Sequence, residues 1–179
     1  MSIVEVDLFR TIVERTSAKV QHDYAATGLK CFYQHGHPLE IVESLQEMTL
    51  NPKSSETKYP LIALFQDFTE KKGLNNSDGE LKLNLIIANL TSPQLKAPDR
   101  YAQNFKPILI PIYDEFLKQI AKSRYFREDN PIKLLHTKID RLYWGRSGLF
   151  GNQKNLFNDY IDCIEIVDLQ LNLKQNTFC

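Results

Sequence analysis

DCIEIVDLQLNLK, residues 162–174, alternates apolar and polar side chains, but the alternation changes parity midway. Ile164 and Ile166 lie on one parity, and Leu169, Leu171 and Leu173 on the other. Successive side chains of a regular strand point to opposite faces, so it would bury one set and expose the other. One extra residue at Val167-Asp168, a β-bulge, returns both sets to one face. The segment predicts a bulged strand over a hydrophobic core.

A second strand is plainer. GELKLNLIIANLT, residues 79–91, alternates Leu81, Leu83, Leu85 and Ile87 with Lys82, Asn84 and Ile86, the period of a half-buried strand. Upstream, in KYPLIALFQDFTEKKG (58–73), Tyr59 to Phe68 is rich in strand formers. Pro60 has no N–H to donate, which places it at the strand's start or on an edge. EKKGLNNSDG (70–79) separates the two strands. The simplest arrangement is an antiparallel hairpin whose loop exceeds the usual length of about two to five residues.

Helical periodicity flanks this hairpin. Val4, Leu8, Ile12, Val13 and Val20 recur at helical spacing between Val4 and about Tyr24. LKCFYQH (29–35) reads as a strand, followed by turn chemistry at His35-Gly36-His37-Pro38. Pro38 suits a first helical turn, and Ile41, Val42, Leu45 and Met48 share one face of a short helix after it. Lys53 to Thr57 reads as a loop, and Ser92 to Asn104, with two prolines and no periodicity, as a surface connection. Ile108, Leu109, Ile112, Phe116, Leu117 and Ile120 mark a longer helix from Phe105 to Lys122. Pro107 fits its first turn, but Pro111 would cost a hydrogen bond and clash with the preceding turn, so the helix either starts near Pro111 or is kinked there. IKLLHTKIDRLYWG (132–145) reads as an extended strand, and GRSGLFGNQKNLFNDY (145–160) as a glycine-rich loop. The sum is one α+β domain over 1–179: a mostly antiparallel β-sheet with a long hairpin, packed on one face by an N-terminal helix and a longer central helix.

Composition excludes several classes. Hydrophobic residues make up 42% and charged residues 25% of the 179, close to the globular average. With 22 basic and 22 acidic side chains the formal net charge is +0, so no global field draws the chain onto nucleic acid or an anionic membrane. Glu5 and Asp7 lie where a signal peptide needs positive charge, and no 18-residue apolar run occurs; the expectation is a cytosolic product without a membrane span. Cys31, Cys163 and Cys179 are odd in number and far apart, which suits reduced thiols.

No motif commits the chain to catalysis. Cys31, His35 and His37 form C-x3-H-x-H, but zinc signatures pair such ligands with a second distant pair, and neither His22 nor His136 sits in one. Ser147 in GRSGLFG does not complete a nucleophile elbow, and no phosphate-cradling glycine motif is present. Asp67 and Glu70, and Asp159, Asp162 and Glu165, are not marked as an acid–base pair. Tyr101 to Phe105 and Tyr143-Trp144, beside Arg100, Arg141 and Arg146, combine aromatics and cations that can stack bases, though such aromatics are more often core or interface anchors. The expectation is a protein that is not an enzyme, with no catalytic residues, no cofactor and no metal.

The order of segments resembles a known family. The N-terminal helix, KYPLIALFQDF, the hairpin into LKLNLIIANLT, FKPILIPIYDEFLKQI and the closing CIEIVDLQLNLK look like the ring-forming tail terminator and neck (head-to-tail connector) proteins of tailed bacteriophages. YPLIALFQDF, APDRYAQNFKPILIPIYDEFL and LFNDYIDCIEIVDLQLNLK are similar to proteins encoded in phages and prophages of Bacteroidetes-type hosts. The resemblance implies a virion structural protein that forms a homo-oligomeric ring, six- or twelve-fold, between capsid portal and tail. Its partners would be its own copies and adjacent neck, tail or portal proteins, with DNA passing through the channel without specific binding. Glu70, Lys71, Lys72, Asn75, Asn76 and Asp78 would then form a loop projecting toward the channel or the next ring. Residues 132–158 would be an interface insertion, with Tyr143, Trp144 and Arg146 at the contact. The alternatives are a small-ligand or enzymatic α+β domain with a pocket lined by His136, Tyr143 and Trp144, or a protein-binding adaptor.

Overall fold

The computed structural model describes residues 5–23, 30–72, 79–123, 125–126, 134–144 and 159–173. Along the chain run α1 (Glu5–Asp23), β1 (Phe32–Gly36), α2 (Pro38–Leu50), the single turn α3 (Pro52–Ser55), β2 (Leu61–Phe65), β3 (Thr69–Lys72) and β4 (Gly79–Leu90). A continuous helical stretch follows: α4 (Ala97–Arg100), a π-helical segment (Tyr101–Leu109) and α5 (Ile110–Ala121). β5 (Thr137–Arg141) and β6 (Ile161–Leu173) close the chain. No helix among the described residues is long and apolar enough to cross a membrane.

The strands form one sheet in the order β1-β2-β4-β6-β5, with β3 also paired to β4. All pairings are antiparallel except β1 with β2. β6 covers one edge of β4 over its full length, from Gly79↔Leu173 to Leu90↔Ile161. β2 and β3 therefore share β4's other edge, as two pieces of one interrupted strand.

The parity change in β6 is resolved by a bulge. Leu83 faces Leu169 and Leu85 faces Ile166, so Val167 and Asp168 together oppose Asn84 alone. Asp168 takes a positive φ of 57°, and its N–H donates to Asn84 Oδ1 at 2.8 Å. Ile164, Ile166, Leu169 and Leu171 thereby all enter one core, with Leu81, Leu83, Leu85 and Ile87 of β4 beside them. α1 and α5 cover this face: Phe9, Ile12, Phe116 and Ile120 are each no more than 1% exposed, and the Phe9 and Phe116 rings lie 6.3 Å apart.

Among the described residues, the opposite face of the sheet is covered at the end where α2 lies. α2 lays Ile41, Val42 and Leu45 over Leu61, Ala63, Ile86, Ala88, Ile161 and Cys163, and Trp144 completes this second cluster. Ile86, which alternation places on the polar face, is buried for this reason. His37 starts α2 as a capping box: its side chain accepts from Leu39 N–H, and Glu40 folds back onto the His37 N–H. Gly36 permits that closure, since at φ +143° a Cβ would be strained and would lie 3.2 Å from Glu40 Oε2. His37→Ala is expected to cost about 1 kcal/mol, read as a lower urea midpoint with an unchanged slope.

Four expectations change. Lys53 to Thr57 is not all loop: Pro52–Ser55 forms the helical turn α3, capped by Asn51, whose side chain accepts from the Lys53 N–H. The strand from Tyr59 stops at Phe65, and the chain bulges through Gln66–Phe68 before pairing again as β3. Glu70, Lys71 and Lys72 are thus ladder residues opposite Leu81, Glu80 and Gly79, not a loop, because pairing satisfies backbone groups that a loop would leave to water. Ser92–Asn104 is not all connection: helix begins at Ala97, with Pro98 in its first turn. Its inward residues, Arg100 and Asn104, are polar, so no apolar period announced them. Pro111 sits in the first turn of α5, and the turns before it are wide, with Ile110 N–H bonding Phe105 O five residues back. This wide winding accommodates Pro107, whose ring and missing N–H a tight helix tolerates poorly.

Candidate functional site

β3, β4 and β6 carry the sheet to the end where residues 79–83 of β4 lie between 69–72 and 169–173. One face is apolar and covered, through Leu81, Leu83, Leu169 and Leu171. The other is a polar platform bearing Thr69, Lys71, Glu80, Lys82 and Gln170. Its charges are internally matched: Lys71 Nζ lies 3.2 Å from Glu80 Oε2, and Lys82 Nζ 2.9 Å from Asp168 Oδ1. Exposed pairs of this kind add little stability, about 0–1 kcal/mol each. Their consequence is a surface with no excess of either sign among them. Asn84, at the platform's root, donates to Asp67 Oδ2 at 3.2 Å and so ties the bulge at Gln66–Phe68 to the bulge in β6.

Of the residues expected in a projecting loop, Glu70, Lys71 and Lys72 belong to this hairpin as strand residues. Asn75, Asn76 and Asp78 lie outside the described residues, as does Arg146. Trp144 is 1% exposed and its ring lies 6.4 Å from that of Phe65, so it anchors the chain's own core. Tyr143 packs within the chain as well. It takes a positive φ of 56°, which sets its ring over the Arg100 guanidinium at 3.6 Å and edge-on to Tyr160. An aromatic beside an arginine reads the same in sequence whether it serves a core or an interface; only burial separates the two.

Arg100 and Asp162 form a clamp that spacing alone does not announce. Their side chains are 1% and 0% exposed and meet at 2.8 Å. Arg100 also donates to Leu95 O and Ser92 O. Asp162 accepts from Asn104 Nδ2 and from the Tyr143 N–H, and Asn104 Oδ1 accepts from Asn89. The network joins β4, β6, the turn at Ser92–Leu95, the π-helical segment and the end of β5. A second clamp joins Lys58 to Asp159 at 2.5 Å, with Thr49 Oγ1 and Leu45 O also accepting from the ammonium and Tyr59 donating to the same carboxylate. Burial, with the Asp159 charge beside it, pushes the Tyr59 hydroxyl far above its ordinary range. Both clamps use their donors on interior acceptors, which is the chemistry of a fastener.

The residues weighed as metal ligands or as pocket lining are dispersed. Cys31 N–H bonds Ser17 Oγ at 2.9 Å, His35 stacks on Tyr33, and His37 is a helix cap. Among the described residues no group of three or more His, Cys, Asp or Glu is placed to hold a metal. His136 accepts from Tyr113 at 2.7 Å and donates from Nδ1 to Leu134 O, on the α5 side of the sheet, whereas Trp144 belongs to the α2 side. His136, Tyr143 and Trp144 therefore do not line one pocket. Burial pushes the Cys31 thiol up to about 12 from an ordinary 9.0, with Ser17 pulling slightly the other way. The unfolded chain loses this proton first, so the contribution to stability is full below pH 9.0 and drains away as pH rises toward about 12. Denaturation midpoints are expected to fall above pH 9.0 less steeply in Cys31→Ala than in the wild type.

No protein-family model matches the chain, and no curated protein matches it in sequence.

Proposed function

We propose that this protein is a structural, non-enzymatic subunit of a ring in the neck or tail of a tailed bacteriophage, a tail terminator or head-tail connector joining the portal complex to the tail. The observation that carries this reading is the polar platform of β3, β4 and β6, a hairpin-borne extension of the sheet with one face buttressed by the core and the other uncovered among the described residues. Such a surface meets macromolecules without a catalytic group. Its charges are matched in Lys71–Glu80 and Lys82–Asp168, which suits a wall past which DNA moves without being gripped. The resemblance in segment order supports the same reading and supplies the partners: further copies, in six- or twelve-fold symmetry, and the adjacent neck, tail or portal proteins. The location that follows is the virion, after assembly in the host bacterial cytoplasm.

The test is protein composition of purified virions by mass spectrometry, with light scattering of the purified protein. The expected result is a stoichiometric virion component whose solution mass is a six- or twelve-fold multiple of the chain. Absence from virions overturns the proposal.

A further inference from the structure

Hydrogen bonding fixes which backbone groups of β1 point away from the sheet. Phe32 N–H donates to Pro60 O at 2.8 Å, and Gly36 O accepts from Gln66 N–H at 3.1 Å. These contacts fall one residue before and one after the register partners Leu61 and Phe65. In a parallel ladder this marks residues whose N–H and C=O both face the neighbouring strand. Phe32, Gln34 and Gly36 therefore face β2, while Cys31, Tyr33 and His35 turn outward. The outward Cys31 N–H is taken by Ser17 Oγ. Among the described residues nothing takes the amides of Tyr33 and His35.

Edges left open in this way are templates for another strand, and charged side chains commonly guard them. FYQHG has no charged residue and so lacks that guard; β5 at the opposite edge carries Lys138 and Asp140, which call for opposite charges beside any edge that β5 joins. Both edge strands are 5 residues long. Asp7 and Arg10 of α1 flank Tyr33 on the same face of the sheet that bears Lys138 and Asp140.

We propose that β1 of one copy receives β5 of the next copy as an added strand, so that the sheet continues from subunit to subunit. This deepens, and rests on, the ring reading. Pairing β1 with β1 would be isologous and would stop at a dimer, but β1 with β5 joins unlike surfaces and can close a ring. Within one subunit Lys138 and Asp140 pair with each other. Across the contact they meet Asp7 and Arg10, which offer the opposite charges.

Proline at position 35 tests the edge selectively, since it removes an outward N–H and leaves the bonds to β2 intact. His35→Pro is expected to melt close to the wild type yet to sediment as a monomer where the wild type is a ring. Gln34→Pro, whose N–H faces β2, should instead lose the fold. A second arm uses charge: Arg10→Asp should weaken assembly, and Arg10→Asp with Asp140→Arg should restore it. A wild-type ring that both His35→Pro and Arg10→Asp leave intact overturns the edge assignment alone. A wild-type chain that is monomeric and missing from virions overturns the ring reading and this assignment together.

Discussion

Arg100→Ala is expected to destabilise the protein by about 3–5 kcal/mol, the cost of leaving a buried charge without its counter-ion. Among the described residues Asp162 would retain Asn104 Nδ2 and the Tyr143 N–H, at 3.3 Å each, in a site that is 0% exposed. Asp162→Ala should cost a similar amount by stranding the guanidinium. The informative variant is the pair Arg100→Met with Asp162→Leu, because two apolar side chains remove both charges at once. Its cost should be well below the sum of the single substitutions, a coupling that urea denaturation resolves. Some loss should remain, since Leu95 O, Ser92 O and the Tyr143 N–H lose partners that methionine and leucine cannot replace. Additive single and double costs would mean that the clamp is not a unit.

Deleting Glu165 should have the other large effect. With the bulge at Val167-Asp168 kept, removing this residue carries Ile161 to Ile164 across to the opposite faces of β6. Ile164 then leaves the α1–α5 face, at about 1.5–3 kcal/mol, and Asp162 leaves Arg100, at about 3–5 kcal/mol; both side chains are 0% exposed in the wild type. Against a total stability of about 5–15 kcal/mol, the deletion should leave little folded protein. Deleting Asp168 is the control. It removes the extra residue and its positive φ, so that Ile164, Ile166, Leu169 and Leu171 share one parity in a regular strand and all keep the core face, and it gives up the bond to Asn84 and the exposed pair with Lys82. Its stability should stay within about 2 kcal/mol of the wild type. Circular dichroism and thermal melts distinguish the two, and a Glu165 deletion as stable as the wild type would disprove the register.

What could be read from the chain was whatever alternates. The bulge at Val167-Asp168 was legible because leucine and isoleucine must all find the core, and β4 because Leu81 to Ile87 keep strict parity. The helices at Glu5–Asp23 and Pro38–Leu50 were legible from apolar spacing and a proline start. Pairings between distant strands were not, since β1's choice of β2 as a parallel neighbour leaves no local mark. β3 was read as loop because a strand with one face open to water needs no apolar period. The helix from Ala97 was hidden by an inward face built from Arg100 and Asn104, whose partner Asp162 lies 62 residues from Arg100. Tyr143 and Trp144 were recognised as anchors, but whether they anchor a core or an interface depends on burial, which residue type does not show.

Asn84 has a role that side-chain burial does not express. A strand that alternates strictly can slip by two residues and still show its leucines to the same face, so alternation protects β4 from a one-residue error and not from a two-residue error. On one side Asn84 meets the doubled residues of β6, and on the other its amide reaches Asp67 in the break between β2 and β3. A slipped β4 would set both irregularities against residues that cannot fill them. The two bulges act as a key cut on both edges of the central strand, so that strands joined late in folding have one seating available.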